Sequence, residues 1–143
     1  MNGLHLCAEW HDCACPPDLL TDVAALREAG VAAAHAAGLT VVGEVFHAFP
    51  EPGGVTGVVL LAESHLALHT WPELAAVTLD VYVCNRSDDH SAQARTVMAA
   101  LRQLFRPARR EERALQRGTL VAAATMPRCN AISGSWPPPK GCC

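Results

Sequence analysis

The stretch Glu63 to Cys84 reads ESHLALHTWPELAAVTLDVYVC and crowds Glu, Ser, His, His, Trp, Glu and Cys into 22 residues of otherwise apolar sequence. Two readings of it lead to different folds. As a helix it would bring His65, His69 and Glu73 to one face at four-residue spacing, the pattern of a helical metal site. Pro72 would break that helix. The run after it alternates, with Val77, Leu79, Val81 and Val83 facing one way and Asp80, Tyr82 and Cys84 the other, as a strand with one buried side requires. The segment is therefore read as two strands, Leu66 to Thr70 and Val77 to Cys84, and a metal is disfavoured.

On the N-terminal side of this stretch, Thr40 to His47 and Val55 to Ala62 are β-branched runs separated by PEPGG, which predicts neighbouring strands joined by a tight loop. At the N-terminus LHLCAEW places Leu4, Leu6, Ala8 and Trp10 on one side and His5, Cys7 and Glu9 on the other, a first half-buried strand. Asp18 to Ala37 carries Leu19, Leu20, Val23 and Leu26 at helical spacing and stops at Gly38, a C-terminal helix signal. Asp89 to Phe105 repeats Ala94, Val97, Met98, Leu101 and Phe105 at the same period, predicting a second helix. A last strand is expected around Ala114 to Ala123. The order strand, helix, four strands, helix, strand predicts an α+β two-layer sandwich: a mainly antiparallel sheet with two helices on one face. If the other face is apolar it needs a cover, which points to a homodimer with sheets meeting.

Composition narrows the function. A chain of 143 residues, half of them hydrophobic, is read as one globular domain over residues 1–125. The Pro, Gly, Ser and Cys content of residues 126–143 predicts a disordered tail. With 11 Lys and Arg against 14 Asp and Glu and a pI near 6.1, there is no electrostatic case for nucleic acid. Six of the basic residues (Arg102, Arg106, Arg109, Arg110, Arg113, Arg117) crowd the end of the second helix and what is expected to be a loop after it, a solvated face rather than an anion site. The longest strongly apolar run, Val55 to Ala62, is too short to cross a bilayer, and no basic residue precedes Arg27, so no secretory signal is expected. Seven cysteines at irregular spacing with no CxxC pair suit reduced thiols in a cytoplasm better than a disulfide framework or a zinc site; His11 with Cys13 and Cys15 is a poor metal set by spacing.

Lysine occurs once, at Lys140, so chemistry that needs a buried Schiff-base lysine, as enzymes anchoring pyridoxal phosphate do, has almost no candidate. Serine hydrolysis through Ser64 lacks a GxSxG elbow. A remaining option turns the Ser64 hydroxyl on the Glu63 carbonyl. The resulting ester eliminates, and the new chain end hydrolyses to a ketone-bearing pyruvoyl group, the carbonyl that lysine cannot supply.

The motif ESHLALHTWPE, preceded by GVTGVVLLA and followed by a cysteine eleven residues after its last Glu, closely resembles the prokaryotic S-adenosylmethionine decarboxylase proenzymes, self-processing pyruvoyl enzymes of polyamine synthesis. The resemblance runs from about Leu4 to about Gly118. It implies the S-adenosylmethionine decarboxylase fold and cleavage between Glu63 and Ser64, giving a β chain of residues 1–63 and an α chain of residues 64–143 that begins with a pyruvoyl group made from Ser64, the site of the substrate Schiff base. It further implies that His69 assists processing, with support from the hydroxyl of Thr56, and that Cys84 donates a proton to the substrate carbon after loss of carbon dioxide. Phe49 and Trp71 match an aromatic pair that sandwiches adenine and can face a sulfonium cation, and Glu73 matches a ribose-binding carboxylate. The expected assembly is a cytoplasmic dimer of αβ units acting on S-adenosylmethionine to supply spermidine biosynthesis, with no metal, membrane or nucleic acid involved.

This chain departs from the family pattern around the pocket. Leu74, Ala75 and Ala76 stand where a Gly/aromatic stretch is usual, Asn85 replaces the glycine after the cysteine, and PEPGG is about one residue longer. Relatives with the same machinery decarboxylate arginine or ornithine, but such a substrate would want an added carboxylate, and Phe49, Trp71 and Glu73 favour adenosylmethionine. A non-catalytic homologue acting as a regulatory partner is the reading of another class, disfavoured by intact Ser64, His69 and Cys84.

Overall fold

The computed structural model describes residues 2–51, 53–85 and 88–118. Six strands form a single antiparallel sheet: β1 (Gly3–Cys13), β2 (Val41–Ala48), β3 (Val55–Leu61), β4 (Ser64–Trp71), β5 (Ala76–Cys84) and β6 (Pro107–Arg117), in the spatial order β2-β3-β4-β5-β1-β6. The helices α1 (Asp18–Thr21), α2 (Val23–Ala36) and α3 (Ser91–Phe105) lie against one face. This is the α+β sandwich that the alternating patterns predict.

Register divides the sheet into two faces. Leu4, Leu6, Ala8 and Trp10 of β1, Val55, Val59 and Leu61 of β3, Leu66 and Leu68 of β4 and Val77, Leu79, Val81 and Val83 of β5 are buried. They pack with Leu26, Ala33 and Ala34 of α2 and Ala94, Val97, Met98, Leu101 and Phe105 of α3. The opposite face carries Val45, Leu60 and Leu115, which are 66%, 44% and 50% exposed, because no helix covers it.

Three expectations need correction. The first helix is not continuous: Asp22 is extended (φ −103°, ψ 125°), and its carboxylate accepts the Ala25 N–H at 2.7 Å. It caps α2 and so ends α1. The sandwich thus has three helical pieces rather than two. The last strand begins at Pro107 rather than near Ala114, because Arg106 takes a left-handed turn (φ 46°) straight after α3. Consequently Arg109, Arg110, Arg113 and Arg117 stand on β6 and not in a loop; the strand forms the charged edge of the sheet. The expected part of that strand beyond Gly118, and the tail 126–143, lie outside the described residues. Gly38 does end the first helical region: at φ 77° it lets the N–H groups of Gly38 and Leu39 reach His35 O (2.9 Å) and Ala34 O (3.0 Å), satisfying the last carbonyls of α2.

Candidate active site

The residues singled out by sequence lie at the two ends of β4. At its C-terminal end, the loop between β2 and β3, the end of β4 and the short 3-10 turn Pro72–Leu74 enclose a cleft of about 300 Å³. Phe49 and Trp71 stand at its walls, about half exposed, with Glu73 beside them. In the same cleft Thr56 Oγ1 and His69 Nδ1 are 2.7 Å apart, a cross-strand pair of β3 and β4. The tautomer that donates Nδ1–H to the threonine oxygen leaves a lone pair on Nε2, where a base needs it.

The cleft owes its shape to close backbone packing. A Cβ at Gly54 would lie 2.5 Å from Thr70 O, so only glycine lets the chain entering β3 sit against β4. The loop is closed by Phe49 N–H donating to Gly54 O at 2.9 Å. Beneath it the buried Thr70 hydroxyl donates to Leu20 O (2.6 Å) and accepts the Val55 N–H (2.8 Å), tying β4 to α1 and β3. Thr70 was not legible as a site-building residue, since nothing in the sequence marks which strand hydroxyl meets a helix carbonyl.

At the other end, Ala62 and Glu63 turn the chain from β3 to β4, and Ser64 opens β4 opposite Leu61 and Val83. Ser64 Oγ is buried and has no hydrogen-bond partner among the described residues. It borders a separate cavity of about 240 Å³ on the helix side of the sheet, lined also by Leu39, Val83 and His90. Cys84, a buried free thiol, ends β5 one residue beyond Val83.

Ser64 and His69 therefore do not meet within one chain. Five residue steps along the strand set their α-carbons roughly 16 Å apart. Ser64 is paired with Val83 on the helix-facing side and His69 with Thr78 on the open side. The sequence-derived set splits into Glu63, Ser64 and Cys84 at one end and Phe49, Thr56, His69, Trp71 and Glu73 at the other.

The open face carries one further polar cluster. His5 Nε2 lies 3.1 Å from Asp80 Oδ1, the Arg117 guanidinium stacks 4.9 Å from the Tyr82 ring centre, and His65 packs its ring 5.8 Å from that of Tyr82. Burial, with His5 next, holds the His65 imidazole below its ordinary range. Burial and a hydrogen bond to Asp80 push the Cys7 thiol up. His5, Cys7 and Asp80 offer ligand atoms within 4.8 Å of one another, with Arg113 paired opposite Cys7 and Arg117 approaching His5 Nδ1 at 3.4 Å, so positive charge already stands beside the cluster. The alternation of β1 and β5 assigns these side chains to the open face; their convergence depends on the pairing of β1 with β5, which the sequence does not display.

A family model described as S-adenosylmethionine decarboxylase matches residues 4–118. The chain belongs to the S-adenosylmethionine decarboxylase family. Among curated members it is 41% identical over 124 residues to the S-adenosylmethionine decarboxylase proenzyme of Parasynechococcus marenigrum, covering 87% of this chain and 91% of that protein. It is 49% identical over 82 residues to the proenzyme of Pelotomaculum thermopropionicum, covering 57% of this chain and 63% of that one. The crystal structure of adenosylmethionine decarboxylase from Aquifex aeolicus superimposes with a TM-score of 0.75 at 33% identity, over 87% of this chain and 97% of that one. The S-adenosylmethionine decarboxylase match covers both ends of β4, so both halves of the site lie within the family domain. Among the described residues, no helix is long and apolar enough to cross a membrane.

Proposed function

We propose that this chain is a self-processing, pyruvoyl-dependent decarboxylase that converts S-adenosylmethionine to S-adenosyl 3-(methylthio)propylamine and carbon dioxide, feeding spermidine biosynthesis. The observation that carries the reading is the Ser64 hydroxyl. It is buried and without a hydrogen bond among the described residues, at the turn where its own preceding carbonyl is the nearest electrophile in sequence. A buried hydroxyl left in that state costs about 1–3 kcal/mol, a cost that a structural serine would avoid. These residues fit a pyruvoyl group formed in place: Ser64 supplies its atoms, and no lysine is needed. Once formed, the group supplies a ketone that withdraws electrons from the substrate α-carbon as the carboxylate leaves. Phe49 and Trp71 hold the adenine and face the sulfonium charge, Glu73 takes the ribose hydroxyls, and Cys84 delivers a proton to the substrate carbon. The cleft presents one carboxylate, Glu73, among its described lining residues, which favours adenosylmethionine over arginine or ornithine.

The split of the site bears on assembly. A two-fold stack of open faces about an axis that crosses β4 lays the N-terminal end of β4 in one protomer over the C-terminal end of β4 in its partner. The backbone at Ser64, and Cys84, would then meet the cleft formed by Phe49, Thr56, His69, Trp71 and Glu73 of a second copy, while the Ser64 hydroxyl stays on the helix side, and Val45, Leu60 and Leu115 would be covered. The active unit is a homodimer of αβ units, each a single domain over 1–125 cleaved into residues 1–63 and 64–143. Free thiols at Cys7, Cys13, Cys15 and Cys84 suit a reducing cytoplasm.

A denaturing gel and mass spectrometry of purified protein test the reading. Wild type resolves into two chains, the larger with a keto-acyl N-terminus, Ser64→Ala stays whole, and processed protein releases carbon dioxide from S-adenosylmethionine. A wild-type chain that never splits, or one that decarboxylates only arginine or ornithine, overturns it.

A further inference from the structure

We propose that His90 is the base that takes the hydroxyl proton from Ser64 in the first bond-making step of self-processing. This rests on the reading of Ser64 as the processing serine. Two buried polar atoms without hydrogen-bond partners among the described residues border the same cavity of about 240 Å³: Ser64 Oγ and His90 Nδ1. His90 occupies the N-cap of α3, yet its side chain makes no capping bond, so the imidazole is not used for helix termination. Its backbone is fixed instead. Asn85 Oδ1 accepts the His90 N–H at 3.0 Å, while Asn85 Nδ2 donates to Asp89 Oδ1 and Ser91 Oγ, each at 3.0 Å. Three hydrogen bonds from one side chain thus hold the entry to α3 where His90 borders the serine cavity.

The position also solves a problem of sides. Ser64 is paired with Val83 on the helix-facing side of the sheet, whereas His69 stands on the open side, so the hydroxyl faces away from any imidazole arriving there. His90, at the start of a helix, is on the hydroxyl's side. The titratable groups bordering it are Glu63 from the β3–β4 turn and Asp89 on its own segment; the remaining described walls, residues 38–40, Leu61, Ala62 and Val83, bring none.

The step balances within the chain. Ser64 Oγ forms a bond to the Glu63 carbonyl carbon as its proton passes to His90 Nδ1, directly or across one water. The tetrahedral centre collapses with rupture of the Glu63 C–Ser64 N bond, and the same proton passes from His90 to the departing nitrogen. The products are an ester and a free amine; no external reactant is consumed. His69 then acts on the ester.

The test isolates this step in a His69→Ala background, where the full chain stalls as the ester and hydroxylamine, which cleaves esters, releases two fragments. Chains made by cell-free translation are chased at a series of pH values, and hydroxylamine-releasable fragments are followed on a denaturing gel. His69→Ala should form ester at a rate that rises with pH as the base loses its proton. His69→Ala with His90→Gln should form it about 100-fold more slowly, with that rise removed. An unchanged rate, or a slower rate with the same pH dependence, overturns the proposal, the latter because a purely structural role would scale the profile without flattening it. Wild type that never splits would instead strike the reading of Ser64 itself, a distinguishable failure.

Discussion

Mixing Ser64→Ala and His69→Ala chains tests whether Ser64 and His69 act from different protomers. Along β4 those residues are roughly 16 Å apart and on opposite faces, so a single protomer cannot bring one to the other without dismantling its strand. If the open faces pair two-fold, a mixed dimer of Ser64→Ala and His69→Ala chains contains one site with both residues intact and one with neither. The intact site joins Ser64 of the His69→Ala chain to His69 of the Ser64→Ala chain. Equal co-expression with random pairing makes about half of the dimers mixed, so about half of the His69→Ala chains, and about a quarter of all chains, should split. Carbon dioxide release should reach about a quarter of the wild-type value. The assay uses a different tag on each variant and a denaturing gel blotted for both. The expected result is cleavage only of the His69-substituted chain, and only when the other is present. Failure of that chain to split in the mixture, with mixed dimers verified by co-purification through both tags, would refute the reasoning, because a site contained in one chain cannot be restored by a neighbour.

Thr70→Val keeps side-chain volume but strands the Leu20 carbonyl and the Val55 N–H in a buried place; stability should fall by about 2–4 kcal/mol, read as a lower urea midpoint at unchanged slope, and a loss under about 1 kcal/mol would remove Thr70 as the tie beneath the cleft. Trp71→Ala removes an aromatic face from the sulfonium and adenine, so KM for S-adenosylmethionine should rise about 10-fold while self-processing stays intact; equal loss in both would mean Trp71 is only structural. Burial, with Cys15 and Asp12 adding to it, pushes the Cys13 thiol from 9.0 to about 11. The folded chain then holds a proton that the unfolded chain releases above pH 9, so this stabilisation is present below that pH and is lost as pH rises toward 11. Urea midpoints should fall between about pH 8 and about pH 10.5 by the equivalent of about 2 kcal/mol, and Cys13→Ala should lose most of that fall. For His65 the sign is reversed at the acid side: held low by burial, it leaves the unfolded chain to bind the proton first, so stability is lost as pH falls below about 6.5, and His65→Gln should flatten that acid limb.

What the sequence discloses follows from which sides of each element are buried. β1 and β5 alternate legibly because helices cover one side of them and the other carries His5, Cys7, Asp80 and Tyr82. β6 does not, because an edge strand with almost every side chain exposed needs no apolar period; PARREERALQR therefore reads as loop, although it pairs with β1 along nearly its whole length. The break at Asp22 was concealed for a related reason: a capping aspartate inside a continuous apolar pattern looks like one polar position of a single helix until its backbone is seen to be extended. The candidate site residues are legible as types, because one motif carries most of them, but their grouping is not. Ser64 and His69 are five residues apart in sequence and lie at opposite ends of a strand; Thr56 and His69 are thirteen apart and touch at 2.7 Å. Once ESHLALHTWPE is strand rather than helix, nearness along the chain ceases to mean nearness in space, and a motif that looks like one site is spread over the two ends and both faces of β4.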